Sequence, residues 1–193
     1  HITRDCIAVL AETQHPLLIT TKSDRVLRDI DLLTRMARNE LVSVTLSITS
    51  LSAAISRTLE PRAPHPEKRI AAVRALAEAG IPVHVNIAPV VPAITDHEIE
   101  AIVARIADAG AWGAAFMLVR LPHEVAPLFR AWLDAHYPER AGKVMAIIQS
   151  VRGGRDYRAD YFERMRGQGP WADLFRTRFR KAMAGHGLPR REP

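Results

Sequence analysis

Four short β-patterned runs alternate with helical segments, and that alternation limits the possible folds more than any other feature of the chain. The runs are Leu17–Lys22, Val42–Thr49, Val83–Ala88 and Ala114–Arg120. Between them apolar residues recur at helical spacing. Val26, Ile30, Leu33 and Ala37 form one set, Ile70, Val73, Leu76 and Ala77 a second, and Ile99, Ile102, Val103 and Ile106 a third. Each set falls on one helix face. Thr95-Asp96-His97-Glu98 has capping-box spacing ahead of the third helix. Pro66 suits a first helical turn, and Gly80 and Gly110 sit where helices should stop. Strand, helix, strand in this order implies parallel strands joined by right-handed crossovers, either in a barrel or in an open doubly wound sheet. No glycine-rich phosphate loop follows any strand, so a dinucleotide or P-loop reading has no support.

Arg4–Thr13 reads as a helix with no strand ahead of it, which predicts part of a barrel that has lost at least one strand. After Leu121 the pattern becomes helical, over Glu124–His136 and Glu139–Val151. A basic, irregular stretch follows, containing Arg164-Met165-Arg166-Gly167-Gln168-Gly169-Pro170. Leu174, Phe175 and Phe179 then mark a last helix over Trp171–Met183, and the tail from Gly185 is expected to be loose. The division predicted is residues 1–150 for the barrel portion and 151–193 for a basic C-terminal extension.

At 48% hydrophobic and 25% charged residues, the chain has the balance of a globular domain and is not disordered throughout. No apolar run approaches the roughly 18–20 residues of a membrane span, so no membrane partner is expected. The net charge of +6 permits an anionic partner such as nucleic acid without requiring one. A single cysteine, Cys6, excludes an internal disulfide and cannot alone hold zinc or an iron–sulfur cluster. That usage reads as a reducing, cytoplasmic compartment.

Side chains alternate along a strand. In a barrel the apolar set Val42, Val44, Leu46 and Ile48 must meet the helices, which turns Ser43, Thr45, Ser47 and Thr49 inward. The same parity turns Thr20, Lys22, His84 and Asn86 inward and, in the fourth strand, Phe116, Leu118 and Arg120. Lys22, Ser47, Thr49 and Arg120 lie at C-terminal strand ends, where barrel enzymes keep their active sites. The alternative is that Lys22 and Arg120 merely reach solvent and form surface pairs. Glu60-Pro61-Arg62 is either a pair of groups at the barrel mouth or a helix stop before proline. Cys6 reads as a small core residue and His84 as a satisfied interior histidine. The sequence has neither an HExxH nor a GxSxG pattern.

Five segments resemble radical SAM proteins related to spore photoproduct lyase, in particular a DNA repair photolyase-like bacterial branch. They are residues 17–23 (LLITTKS), 42–50 (VSVTLSITS), 57–96 (containing LEPRAP), 120–129 (RLPHEVAPLF) and 164–170 (RMRGQGP). The resemblance implies a partial parallel (β/α)6 TIM-like barrel, of which this chain is strands three to six plus a helical C-terminal tail. It implies a lyase-like radical SAM enzyme that cleaves S-adenosylmethionine reductively to a 5′-deoxyadenosyl radical for hydrogen abstraction. An electron donor such as flavodoxin or ferredoxin would serve it, and nucleic acid is one candidate substrate. In the family a [4Fe-4S] cluster is held by a CxxxCxxC loop after the first strand. That motif is absent here, so the cluster ligands are expected in a longer parent and this chain alone is expected to be inactive. Lys22 and Ser47 match residues contacting the methionine carboxylate, and Asn86 matches the strand lining the adenosine. Arg120 matches the sixth strand, and Thr49 joins Ser47 at the same strand end. The alternative is a non-catalytic basic module that docks nucleic acid or a partner protein.

Overall fold

Val42, Val44 and Leu46 take alternate positions in a run with no glycine or proline, so the run is extended and buries one face. The computed structural model, which describes residues 2–160 and 165–189, makes it the second of four strands: β1 Leu17–Thr21, β2 Val42–Ser47, β3 Val83–Val90 and β4 Gly113–Leu118. They form one parallel sheet in the order β1-β2-β3-β4. The helices α1 Ile2–Glu12, α2 Ile30–Ala37, α3 Ala53–Leu59, α4 Pro66–Glu78 and α5 Ile99–Asp108 alternate with the strands. A 3-10 turn at Asp24–Asp29 leads into α2. An α6–α7 pair, Val125–His136 and Pro138–Ser150, follows, and α8, Gly169–Gly185, closes the described chain. This is an α/β fold with a parallel four-strand sheet, as a partial TIM-like barrel requires.

The apolar stripe of α2 (Leu32, Leu33, Met36), that of α4 (Ile70, Val73, Leu76) and that of α5 (Ile99, Ile102, Val103, Ile106) all enter the main core. They meet Val44, Leu46, Val83, Val85 and Ile87 from the outer sheet face. Pro66 opens α4, and Gly80 (φ 75°) and Gly110 (φ 84°) follow α4 and α5 with the positive φ that glycine tolerates best. A smaller core joins Phe129 and Leu133 of α6 and Val144 and Ile148 of α7 to Val91, Ile94, Val119 and Leu121. Helix α8 adds Ala172, Phe175 and Met183 to the main core. Leu188 N–H donates to Met183 O at 3.1 Å and Leu188 packs on the core, so the segment after Gly185 is tied down that far. Residues 190–193 of the expected loose tail lie outside the described residues, as does Arg164 of the basic stretch.

Several expectations are corrected. Register pairs Asn86 with Ala115 and Ile87 with Phe116, so Phe116 shares the helix-facing side with Val85 and Ile87. Its ring meets Phe179 of α8 at 5.0 Å, and Leu118 joins the main core. The run GAAFML is apolar at every position, so alternation alone could not set its parity. Gly113 and Ala115 are the inward residues opposite His84 and Asn86. Thr95 caps nothing. Its hydroxyl accepts from Val91 N–H at 2.8 Å, which removes it from the helix end, while Glu98 accepts from Leu51 N–H at 3.3 Å. Cys6 is exposed rather than part of the core, since α1 turns Ile7 inward instead.

Candidate functional site

β1 and β2 end beside each other, and the loops beyond them converge on Glu60. Lys22 follows β1 directly, with its side chain 41% exposed and Nζ 2.5 Å from Glu60 Oε1. The same ammonium donates to Ala88 O at 3.2 Å. The Thr49 hydroxyl lies 2.7 Å from Glu60 Oε1 and 2.9 Å from Ala88 O, and its one proton can go to either. Glu60 ends α3, its N–H bonded to Ser56 O at 2.9 Å. The helix stop before Pro61 therefore delivers a carboxylate to the mouth, so the two readings of Glu60-Pro61-Arg62 hold together.

Arg69 is the residue that sequence reasoning missed. It is 1% exposed and points from α4 under the mouth. Its Nε donates to Pro64 O at 2.9 Å, Nη1 to Ser47 O at 3.1 Å and Nη2 to Ser56 Oγ at 3.3 Å. Nη2 also stands 2.8 Å from Glu60 Oε2, a close ionic contact without hydrogen-bond alignment. Arg69 stands with Glu67 and Lys68 in the first turn of α4, where charged side chains are mostly exposed. The available signal was spacing, because Arg69, Ala72, Val73 and Leu76 share one buried stripe.

Burial pushes the Glu60 carboxyl upward, but the Lys22 ammonium, the Thr49 hydroxyl and the Arg69 charge together outweigh it. The group is held below its ordinary value and stays ionised. Two of the three Lys22 N–H donors are used by the protein, leaving one for a ligand.

Thr21, Lys22, Glu60, Arg62, Pro89 and Arg120 line an open cleft of about 1270 Å³ at this end of the sheet. Arg120 stands two residues beyond β4. Its Nη2 donates to Tyr157 OH at 3.2 Å and its Nη1 meets Met165 Sδ at 3.4 Å. Lys22, Thr49 and Arg120 therefore gather around the mouth, the first two through Glu60. Ser47 and Asn86 form a cross-strand pair deeper on the concave face. Ser47 is 8% exposed, and Asn86 lines a smaller groove of about 430 Å³ with Thr20, Thr45 and His84. His84 is buried and packs edge-on against Trp112 at 4.8 Å.

An ion-paired polar cluster at the C-terminal mouth of a parallel βα sheet places the site where barrel enzymes carry theirs. The chain belongs to the radical SAM superfamily, whose family model matches residues 1–106. It is similar to an uncharacterized protein of Mycobacterium tuberculosis, 33% identical over 145 residues, covering 74% of this chain and 43% of that protein. An uncharacterized protein of Methanocaldococcus jannaschii is 32% identical over 124 residues, 64% of this chain and 44% of that one. The chain thus spans less than half the length of these relatives.

The superfamily uses S-adenosylmethionine and a [4Fe-4S] cluster, and the two fit these residues differently. Among the described residues no group of three His, Cys, Asp or Glu side chains could hold a metal, and Cys6 is the one cysteine of the sequence. The cluster therefore finds no ligand set here. A carboxylate-bearing ligand would meet a half-exposed ammonium with a spare donor. Among the described residues no helix is long and apolar enough to cross a membrane.

Proposed function

We propose that this chain supplies the S-adenosylmethionine-binding part of a radical SAM enzyme, its strands being the third to sixth of a (β/α)6 barrel related to the spore photoproduct lyase group. The observation that carries this is the Lys22 ammonium, clamped by Glu60 and Ala88 O at a strand end with one donor unused. Lys22 would face the methionine carboxylate with the Ser47 hydroxyl below it, Thr49 would brace Glu60 behind the lysine, and Asn86 would line the adenosine side. When bound and reduced, S-adenosylmethionine supplies a 5′-deoxyadenosyl radical for hydrogen abstraction. The protein's share is to hold the ligand. Glu60 and Arg69 fix the lysine, and buried Ser47 with half-buried Asn86 beside it sets the floor. Arg120 stands on the opposite wall and is not required for that end of the ligand. The cluster thiolates and the electron donor, of flavodoxin or ferredoxin type, belong outside this chain, which by itself would not cleave the ligand.

Calorimetric titration with S-adenosylmethionine tests the reading. A charge-assisted hydrogen bond contributes about 1.5–3 kcal/mol, so Lys22→Ala should weaken binding roughly 10- to 150-fold. Ser47→Ala should cost about 1 kcal/mol, near fivefold. Unchanged affinity in a folded Lys22→Ala variant would overturn it and favour a non-catalytic basic module that docks nucleic acid or a partner protein.

A further inference from the structure

We infer that Arg120 is the anion receptor of the mouth cleft, anchoring the phosphate or carboxylate group of a ligand through donors the protein leaves unused. The two walls of the cleft differ in one respect. The Lys22 charge is matched by Glu60 at 2.5 Å, whereas Arg120 has no carboxylate partner among the described residues. Its acceptors are a phenol oxygen at 3.2 Å and a thioether at 3.4 Å, one neutral and one weak. Its Nε is buried with no acceptor. Other well-fixed arginines end on acids: Arg69 on Glu60, Arg130 on Asp156, Arg178 on Glu100. Each terminal nitrogen of Arg120 also carries a second N–H beyond the one it uses.

The guanidinium is nevertheless held in place. Its Cζ lies 5.7 Å from the centroid of the Tyr157 ring, a cation–π contact that orients its plane. A pre-oriented fork is the geometry that recognises planar or tetrahedral oxyanions. Arg25, Arg62 and Lys68 line the same cleft, are exposed and end on no carboxylate among the described residues; with Lys22 and Arg120 they outnumber the cleft's acids, Asp24 and Glu60, so the local field draws anions inward.

The inference rests on the cleft being a ligand site, not on the ligand there being S-adenosylmethionine. Phosphate titration reads the Arg120 wall and S-adenosylmethionine titration reads the Lys22 wall, so each can fail alone. The probe is inorganic phosphate, added to the ¹⁵N-labelled chain at constant ionic strength and followed by the amide shifts of Val119 and Leu121. Saturable shifts are expected, weakened about tenfold or more in Arg120→Gln and little changed in Lys22→Gln. An acetate series distinguishes the two ligand sources, since the anion that binds more tightly names the group the wall was built for. If Arg120→Gln does not fold, Arg120→Lys decides, because it keeps the charge and loses the fork. Weaker phosphate binding supports the inference and unchanged binding overturns it. Absence of saturation, or equal losses in Arg120→Gln and Lys22→Gln, would also overturn it, leaving Arg120 as a strut for Tyr157 and Met165.

Discussion

Removing the Glu60 carboxylate should unbalance the mouth more than removing any other single side chain there. In Glu60→Ala three partners lose their acceptor, at different cost. Lys22 is 41% exposed and returns to water with little loss. Thr49 keeps Ala88 O at 2.9 Å. Arg69 is 1% exposed and cannot leave, so its charge would face only Pro64 O, Ser47 O and Ser56 Oγ. Breaking a buried pair from one side costs about 3–5 kcal/mol, a large part of a domain's usual 5–15 or so. With a urea m-value of about 2 kcal/mol/M, the midpoint should fall by roughly 1.5–2.5 M. Equilibrium urea unfolding followed by circular dichroism measures it. The double variant Glu60→Ala/Arg69→Met removes both charges and should recover most of the loss, because an apolar replacement of a buried pair is often near neutral. A single-variant loss below about 0.5 kcal/mol, or additive losses in the double, would refute the reasoning.

Two further outcomes follow from the same electrostatics. Glu60 is held below its ordinary value of 4.5. Its contribution is therefore full above that value and fades as pH falls through the folded value, since the unfolded state binds the proton first. Acid titration of stability should show a steeper decline below about pH 4.5 in the wild type than in Glu60→Ala, and parallel curves would contradict this. Arg178 joins α8 to α5 by donating from Nε and Nη2 to Glu100, both at 2.7 Å, and to the turn ahead of α5 by donating to Asp96 O at 2.9 Å. Arg178→Ala should speed hydrogen exchange in α8 about 5- to 30-fold, a local loss of about 1–2 kcal/mol, and unchanged α8 protection would count against that link.

The four strands, their parallel order and the helices between them were legible because their hydrophobic periods are unmixed. β2 has small polar residues on one face and branched apolar ones on the other, and its parity held in the structure. β4 did not, because GAAFML offers no polar face and its parity came from tertiary partners, Phe179 above all. Lys22 and Thr49 could be placed at the mouth from alternation and strand ends alone. Their meeting at Glu60 could not, since it depends on where α3 stops and how Pro61 redirects the chain. Arg69 was hidden for a different reason. A charged residue on an apolar stripe looks like an error in the pattern until the carboxylate that receives it is located. The Thr95 capping box shows the limit of motif spacing, because a nearer buried N–H, that of Val91, took the hydroxyl instead.

The mouth network couples the fold to the site in one direction. Arg69 joins the end of β2, through Ser47 O, to α3 and to Glu60. Lys22 and Thr49 join Glu60 to the Ala88 carbonyl of β3. Three strand ends are thus tied through one carboxylate. A loss at Glu60 therefore loosens the very loops that hold Lys22. The converse does not follow. Lys22 sits at the solvent end, and its removal leaves Glu60 with Arg69 and Thr49, so Lys22→Ala should lower ligand affinity at a smaller cost in stability than Glu60→Ala. Binding and stability can therefore be separated from the solvent side of this cluster and not from its buried side. Lys22, rather than Glu60, is accordingly the residue on which a functional reading of the cleft can be tested with less disturbance to the fold.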